Sequence, residues 1–372
     1  MSARIPSLDR LRGLAITLMA LDHVRDFFQP AGLSPENWNS TTWPFFLMRW
    51  VTHFCAPLFI VLAGISVGLY LPKRSKRQGI TFLLTRGLWL MLLEPTWISF
   101  SWFFNLDVTH LGVMWAIGGA MVLLATLVWL PRNGVLVVGL GITVGLAFFP
   151  EWVRLRPEGA LSSGIGADVL VRSSSFELWG HWFRQSYAIL PWAGVMAIGY
   201  GLAAAVKDPE WRKHSWIVGL VLVIVFVILR SMNGFGDPTP WSIHPRPGTT
   251  AMHFLNPSKY PPSLMFQCLT LGVAALVLPL FGWMDGLFAK VLQVFGKVPM
   301  FFYLLHLPMA HLAGLAYAQR RFGTVRIPGD EPLSLALIFG AWILLLVALW
   351  PLCKLWGQLK SKHPGWVWLR YL

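Results

Sequence analysis

The sequence predicts an all-α, polytopic integral membrane protein of about ten transmembrane helices with both termini cytoplasmic. Three observations carry that prediction: the scarcity of charge, the apolar runs of spanning length, and the sidedness of the basic residues. Only 12% of the 372 residues are charged while 56% are hydrophobic, and the mean hydropathy is +0.59. A soluble domain carries about 25% charged residues. Crossing roughly 30 Å of hydrocarbon takes about 20 helical residues. Runs of that order lie at 10–29, 45–71, 82–104, 111–130, 134–150, 186–206, 215–231, 262–283, 298–318 and 332–353. Alternate turns between them are basic: "KRSKRQ" at 73–78, "PRN" at 131–133, "KDPEWRKH" at 207–214, Lys290 with Lys297, and the tail "KLWGQLKSKH". That pattern keeps those turns and both ends inside, although the arginines of 151–185 and 320–326 then fall on the opposite side. The net charge of +14 is therefore read as topology and attraction to anionic lipid, not as a nucleic-acid surface.

The first run sits in "SLDRLRGLAITLMALDHVRDFF", residues 7–28, where Arg12, Asp22, His23, Arg25 and Asp26 crowd the apolar stretch Leu14–Leu21. No small-residue cleavage site follows, so the segment reads as an uncleaved first helix. Arg12 and His23 are eleven residues apart, within about 20° of a shared direction and about 16 Å along the axis. A thioester cofactor with an anionic head and a long pantetheine arm fits that spacing. Arginine grips phosphate through several donors, and histidine can take a proton from an attacking hydroxyl or amine. Arg12 also reads as a positive-inside anchor and His23 as a packed histidine, but ionisable groups inside a membrane are costly and tend to be functional. Asp22 and Asp26 can pair with Arg25 or orient His23.

In the second run, "RWVTHFCAPLFIVLAGISVGLYL" at 49–71, Arg49 and His53 share a face at i,i+4. Pro57 cannot supply an amide to the His53 carbonyl, so a bend or local polarity is expected there. His53 is a site candidate or a satisfied core histidine, and Gly64, Ser66 and Gly68 permit close packing. The third run holds Glu94 before Pro95, a carboxyl that can pair, act as an acid or mend a proline kink. "FNLDVTH" at 104–110 follows at the outer surface. The fifth run is short and glycine-rich. The long outer segments 151–185 and 232–261 are candidates for a lid or binding loop, and the second holds Trp241, His244 and His253. Late in the chain "VFGKVPMFFYLLHLPMAHL", residues 294–312, brings Tyr303, His306 and His311 around Pro308. His23, His53, Glu94 and His306 thus fall at similar depth on four helices, as the walls of a polar cavity would. The three cysteines, Cys55, Cys268 and Cys353, share no close spacing. No P-loop, HExxH or CxxC is present, and the scattered histidines specify no metal site. No repeat or linker divides the chain, so residues 1–372 read as one membrane domain.

The blocks at 7–28 and 52–66, with "FNLDVTHLGVMWAIG", "LPWAGVMAIGYGLA", "FLNPSKYPPSLMF" and "VFGKVPMFFYLLHLP", resemble bacterial proteins of the heparan-alpha-glucosaminide N-acetyltransferase catalytic-domain family, over about residues 5 to 320. The resemblance implies a multi-span membrane protein. In the lysosomal branch, acetyl passes from cytosolic acetyl-CoA to a sugar amine across the membrane. The first helix is also similar to the membrane acyltransferase superfamily that modifies surface polysaccharides. There an arginine, ten residues and a histidine recur, matched here by Arg12 and His23. The arginine is linked to acyl-CoA and the histidine to proton transfer. The lysosomal branch uses a histidine in the loop after its first helix, and residues 24–52 contain none. Acetyl transfer would therefore rest on His23 or His53, and a glucosaminide acceptor does not carry over.

The expected protein is an acyltransferase of the bacterial inner membrane using acetyl-CoA, with a sugar or glycan acceptor at the outer side. Arg12 and Arg10 would hold the cofactor. His23 would be the base or the transiently acylated residue, with Asp22 and His53 assisting, and Arg49, Glu94, Tyr303 and His306 would line the cavity. A proton-coupled transporter is the rival, since mid-membrane His and Glu also serve proton relays. A noncatalytic membrane scaffold is the third reading.

Overall fold

The computed structural model describes residues 5–38, 40–148, 165–208 and 210–372. The end of the predicted run 134–150 and residues 151–164 of the first long loop lie outside them. Among the described residues the chain is mostly helical. In order it forms α1 (Pro6–Phe28), α2 (Trp43–Thr52), α3 (Cys55–Tyr70), α4 (Lys76–Leu93), α5 (Ser99–Phe103), α6 (Val113–Leu127), α7 (Arg132–Gly145), α8 (Ile165–Val171), α9 (Ile189–Leu202), α10 (Trp211–Met232), α11 (Pro247–Phe254), α12 (Leu264–Val277), α13 (Leu280–Trp283), α14 (Gly286–Lys297), α15 (Pro299–Phe322) and α16 (Leu335–Lys362). Among the described residues, five segments are long and apolar enough to cross a membrane: Trp43–Lys73, Trp211–Met232, Leu264–Trp283, Pro299–Phe322 and Leu335–Lys362. Helix α1 has 23 residues, but the aspartates and arginines at its ends dilute its apolar stretch.

Proline decides two departures from continuous runs. The run 45–71 breaks between α2 and α3, because Pro57 has no amide for the His53 carbonyl. The His53 amide instead tightens onto the Arg49 and Trp50 carbonyls at 3.1 and 3.2 Å. The run 82–104 passes through a π-helical turn, Glu94–Ile98, where Pro95 interrupts the ladder of α4.

The mostly helical chain also carries a small three-stranded sheet that the sequence reading did not include. Strands β1 (Val108–Leu111), β2 (Ser174–Leu178) and β3 (His181–Gln185) order as β1-β3-β2. β1 runs parallel to β3, and β2 antiparallel to it. Burial alternates residue by residue along β2 and β3, which is the period of a half-buried strand. These strands lie in the polar stretches between apolar runs, and each is too short for its alternation to stand out in the sequence. Trp179 and Gly180 turn the hairpin with φ of 54° and 76°, the paired positive values of a two-residue β-turn.

The contacts divide the chain into two compact units. The first comprises Ala56–Ser242 and Phe254–Pro279. In it α4 packs on α6, α9 on α6 and α7, and α10 on α12. Gly64 of α3 meets the Met196 carbonyl of α9, where any side chain would collide. The start of the long loop 232–261 is ordered around buried Arg230, which donates to the carbonyls of Thr239 and Phe254 at 3.0 Å each and pairs with Asp237 at 3.6 Å.

The second unit comprises Arg4–Cys55, Ile243–His253 and Leu280–Leu372. Its centre is α1, which packs against α14, α15 and α16. Gly296 of α14 has its Cα against the Asp9 carbonyl, with no space for a Cβ. Trp342 of α16 donates to the Thr17 carbonyl at 2.8 Å. The chain's first helix is therefore wrapped by its last three long ones.

Candidate active site

The second unit brings His23 and His306 together. Helices α1 and α15 run parallel, so His23 meets His306 and Phe27 meets His311 one turn later. His23 Nδ1 lies 2.8 Å from His306 Nε2, and His306 Nδ1 lies 3.2 Å from the Phe302 carbonyl one turn back. A carbonyl only accepts, so His306 Nδ1 carries a proton and donates it to Phe302. In the neutral ring His306 Nε2 is then an acceptor, and His23 Nδ1–H donates to it. This network assigns the His23 tautomer whose Nε2 carries the basic lone pair. His306 is completely buried and Tyr303 nearly so. The Tyr303 ring stands edge-on to His23 at 6.5 Å and 5.3 Å from His306. This carbonyl–His–His chain can hold an imidazole in register for proton transfer.

Toward the start of α1, Arg12 donates to Asp9 at 2.9 Å and to the Gly296 carbonyl of α14 at 3.2 Å. Arg10 donates to the Phe281 carbonyl at 2.9 Å and lies 3.8 Å from Asp285. The Asp285 side chain is 92% exposed, so water reaches this end of the helix. Arg12 and His23 both reach toward the carboxy-terminal helices, as their shared face requires.

Asp22, Arg49 and His53 join a third cluster. The Asp22 carboxylate accepts from Arg25 at 2.6 Å, Arg49 at 2.5 Å and Thr52 at 2.8 Å, tying α1 to α2. Arg25 also reaches Asp26 at 2.6 Å. Arg49 and His53 converge on Glu36, at 3.2 and 3.3 Å. Burial alone would raise the Glu36 carboxyl, but the hydrogen bond from His53 and the Arg49 charge prevail and hold it below the usual carboxylate range. His244 and His253 form a second histidine pair, Nε2 to Nδ1 at 3.0 Å, with Trp38 against the His253 ring at 5.1 Å.

Glu94 belongs to the other unit. Its Oε2 accepts from the amides of Met114 at 2.7 Å and Trp115 at 3.1 Å, closing the amino-terminal end of α6 as a carboxylate does at a positive helix pole. In the same unit the Asn105 side chain accepts from the Asp107 amide at 3.3 Å, and the His110 amide donates to Ser99 at 2.9 Å.

Three participants were not singled out from the sequence: Glu36, Thr52 and the Phe302 carbonyl. Phe302 lies one turn before His306, so its carbonyl could have been anticipated. Nothing in the local pattern marks Glu36.

Long apolar helices and a charged helix at the centre of one unit define a membrane protein. The chain belongs to the family described as heparan-alpha-glucosaminide N-acetyltransferase, catalytic, whose model matches residues 4–229. That stretch includes α1 with Arg12 and His23, and membership makes the protein a membrane transferase. Comparison with the curated proteins finds no match.

Proposed function

We propose that the chain is an acyltransferase of the bacterial inner membrane, with about ten spans and both termini cytoplasmic. It would transfer acetyl from acetyl-CoA to a hydroxyl or amine of a sugar or glycan at the outer side. The observation that carries this reading is the chain from the Phe302 carbonyl through His306 to His23, which leaves His23 Nε2 as the base. Arg10 and Arg12 supply fixed positive charge at a water-accessible end of the same helix, which suits the phosphates of acetyl-CoA. When bound, acetyl-CoA supplies an acyl carbon activated as a thioester.

His23 Nε2 takes the proton of the attacking hydroxyl or amine as that oxygen or nitrogen bonds to the acetyl carbon, and gives it to the CoA sulfur as the thioester C–S bond breaks; throughout, its Nδ1–H stays on His306 Nε2. His306 and Tyr303 position that ring. Asp22, Arg49 and His53 fix the junction of α1 and α2 beside it.

The test uses purified protein in liposomes with acetyl-labelled CoA and a pool of envelope glycolipids and amino sugars. CoA thiol and label transfer are followed for the wild type and His23→Ala. Thiol release that disappears in the variant while the inserted protein is retained is the expected outcome. Full activity in His23→Ala overturns the assignment. Solute counterflow without any covalent product would instead establish a carrier.

A further inference from the structure

Two sequence blocks that the histidine site does not use, "LPWAGVMAIGYGLA" and "FLNPSKYPPSLMF", meet inside the first unit. The first block opens α9, a helix of 14 residues. Its N-cap residue is Ala188, which offers no side-chain acceptor, and Pro191 in the first turn has no amide. The amides of Ala188, Ile189 and Leu190 meet no acceptor among the described residues. Ala188 is completely buried and Ile189 nearly so. Helix amides left open in a buried place call for a partner, and at the positive pole of a helix the fitting partner is an anion.

The second block brings a cation to the same place. Tyr187, just before the N-cap, lays its ring against Trp192 with centroids 5.6 Å apart, the hydrophobic staple that spans a first turn. The Lys259 ammonium lies over that ring at 5.9 Å and over the Tyr260 ring at 5.1 Å. The two tyrosines stand edge-on at 5.2 Å, with their hydroxyls 3.5 Å apart. Lys259 is only 8% exposed, and among the described residues no carboxylate or carbonyl accepts from its ammonium. Asp237, the acid of the same loop, is taken by the Ser258 amide and the Ser263 hydroxyl at 2.9 and 2.8 Å and by Thr239 at 2.6 Å. A lysine this far out of water needs a counter-charge, and two tyrosine faces offset only part of the cost. Leu190 and Tyr260, at the edge of the cluster, are half-buried, so it is reached from outside the unit.

We propose that the opening of α9 and Lys259 form a phosphate-binding site, with the group held between the amides of Ala188, Ile189 and Leu190 and the ammonium ion. Three amides and an ammonium outnumber the two oxygens of a carboxylate and suit a phosphate. That phosphate belongs to a soluble ester or to a lipid headgroup, and the test separates the two. The assignment does not depend on the acyltransferase reading.

Full-length protein in phosphatidylcholine nanodiscs is titrated calorimetrically with inorganic phosphate and with acetate. The variants are Lys259→Met, Lys259→Arg and Ala188→Ser. Wild type should bind phosphate more tightly than acetate. Lys259→Met keeps an unbranched chain against the tyrosines and should weaken phosphate about tenfold, while Lys259→Arg should restore most of the affinity. Ala188→Ser gives the amides an N-cap oxygen of their own, so it should weaken phosphate while the unfolding midpoint holds or rises. Native mass spectra from discs containing phosphatidylglycerol separate the two sources. Lipid retained by the wild type and lost in Lys259→Met assigns the site to a headgroup; equal lipid retention, with phosphate still bound, assigns it to a soluble ester. Undiminished binding in Lys259→Met or in Ala188→Ser, or acetate as tight as phosphate, overturns the inference. So does the absence of both phosphate binding at millimolar concentration and Lys259-dependent lipid retention.

Discussion

Replacing His306 by Leu tests the relay most directly. His306 is fully buried and meets His23 through the 2.8 Å contact between Nε2 and Nδ1 and the stacked rings, 5.0 Å between centroids. Leucine keeps the bulk and removes the acceptor. His23 Nδ1–H then loses the bond that selects its tautomer, and a buried donor deprived of its partner costs about 1–3 kcal/mol. The tautomer with a basic Nε2 is disfavoured by that amount. At about 1.4 kcal/mol per tenfold, kcat should fall about ten- to hundredfold. The KM for acetyl-CoA should hold, because Arg10 and Arg12 bond to Phe281, Asp9 and Gly296. His306→Gln restores an acceptor oxygen and should recover much of the loss. The assay is CoA thiol release at saturating acceptor, with thermal melts by circular dichroism to establish that each variant is folded. Wild-type kcat in His306→Leu, or a Gln variant no better than Leu, would refute the relay.

Three further outcomes follow from the same unit. Asp22→Ala removes the acceptor shared by Arg25, Arg49 and Thr52 and leaves the Arg25 guanidinium, 4% exposed, with Asp26 alone. Breaking such a pair should cost about 3–5 kcal/mol, read as a lower unfolding midpoint in detergent; an unchanged midpoint would show that the cluster does not hold α1 to α2. Glu36, whose carboxyl is held below its ordinary value of 4.5, binds fewer protons folded than unfolded. Its stabilisation is therefore complete above about pH 4.5 and lost as the pH falls below it; Glu36→Gln should lower stability at pH 7 and flatten that acid limb, and a parallel acid limb in the variant would exclude the pairing. Gly296→Val would drive a side chain into the Asp9 carbonyl and should destabilise by about 1–3 kcal/mol, measured by thermal unfolding against Gly134→Ala in the first turn of α7, where an added Cβ meets only ordinary contacts, as control.

Much of this protein is legible along the chain, because the signals are local. Spanning runs show in composition, the breaks near His53 and Glu94 follow from Pro57 and Pro95, and the spacing of Arg12 and His23 is helical arithmetic. Gly64 announced a close crossing before its partner, Met196, was known. The strands at 108–111, 174–178 and 181–185 escaped notice because four or five residues of alternation are too few to stand against helical runs. What the sequence left open is which helix meets which. His23 and His306 lie 283 positions apart, and no one-dimensional period links them. Only the packing of α1 against α14, α15 and α16 makes one ring the other's acceptor and so decides which nitrogen is basic. The packing of α1 against α2 gives Asp22 to Arg49 and Thr52 beside its own-helix partner Arg25, and Arg49 and His53 recruit Glu36 from a loop with no pattern of its own. Glu94, similar to the histidines in depth along the sequence, is drawn instead to the amides that open α6. Local residue chemistry determined which groups are costly to bury; the tertiary structure decided how each is satisfied, because hydrogen bonds form between neighbours in space.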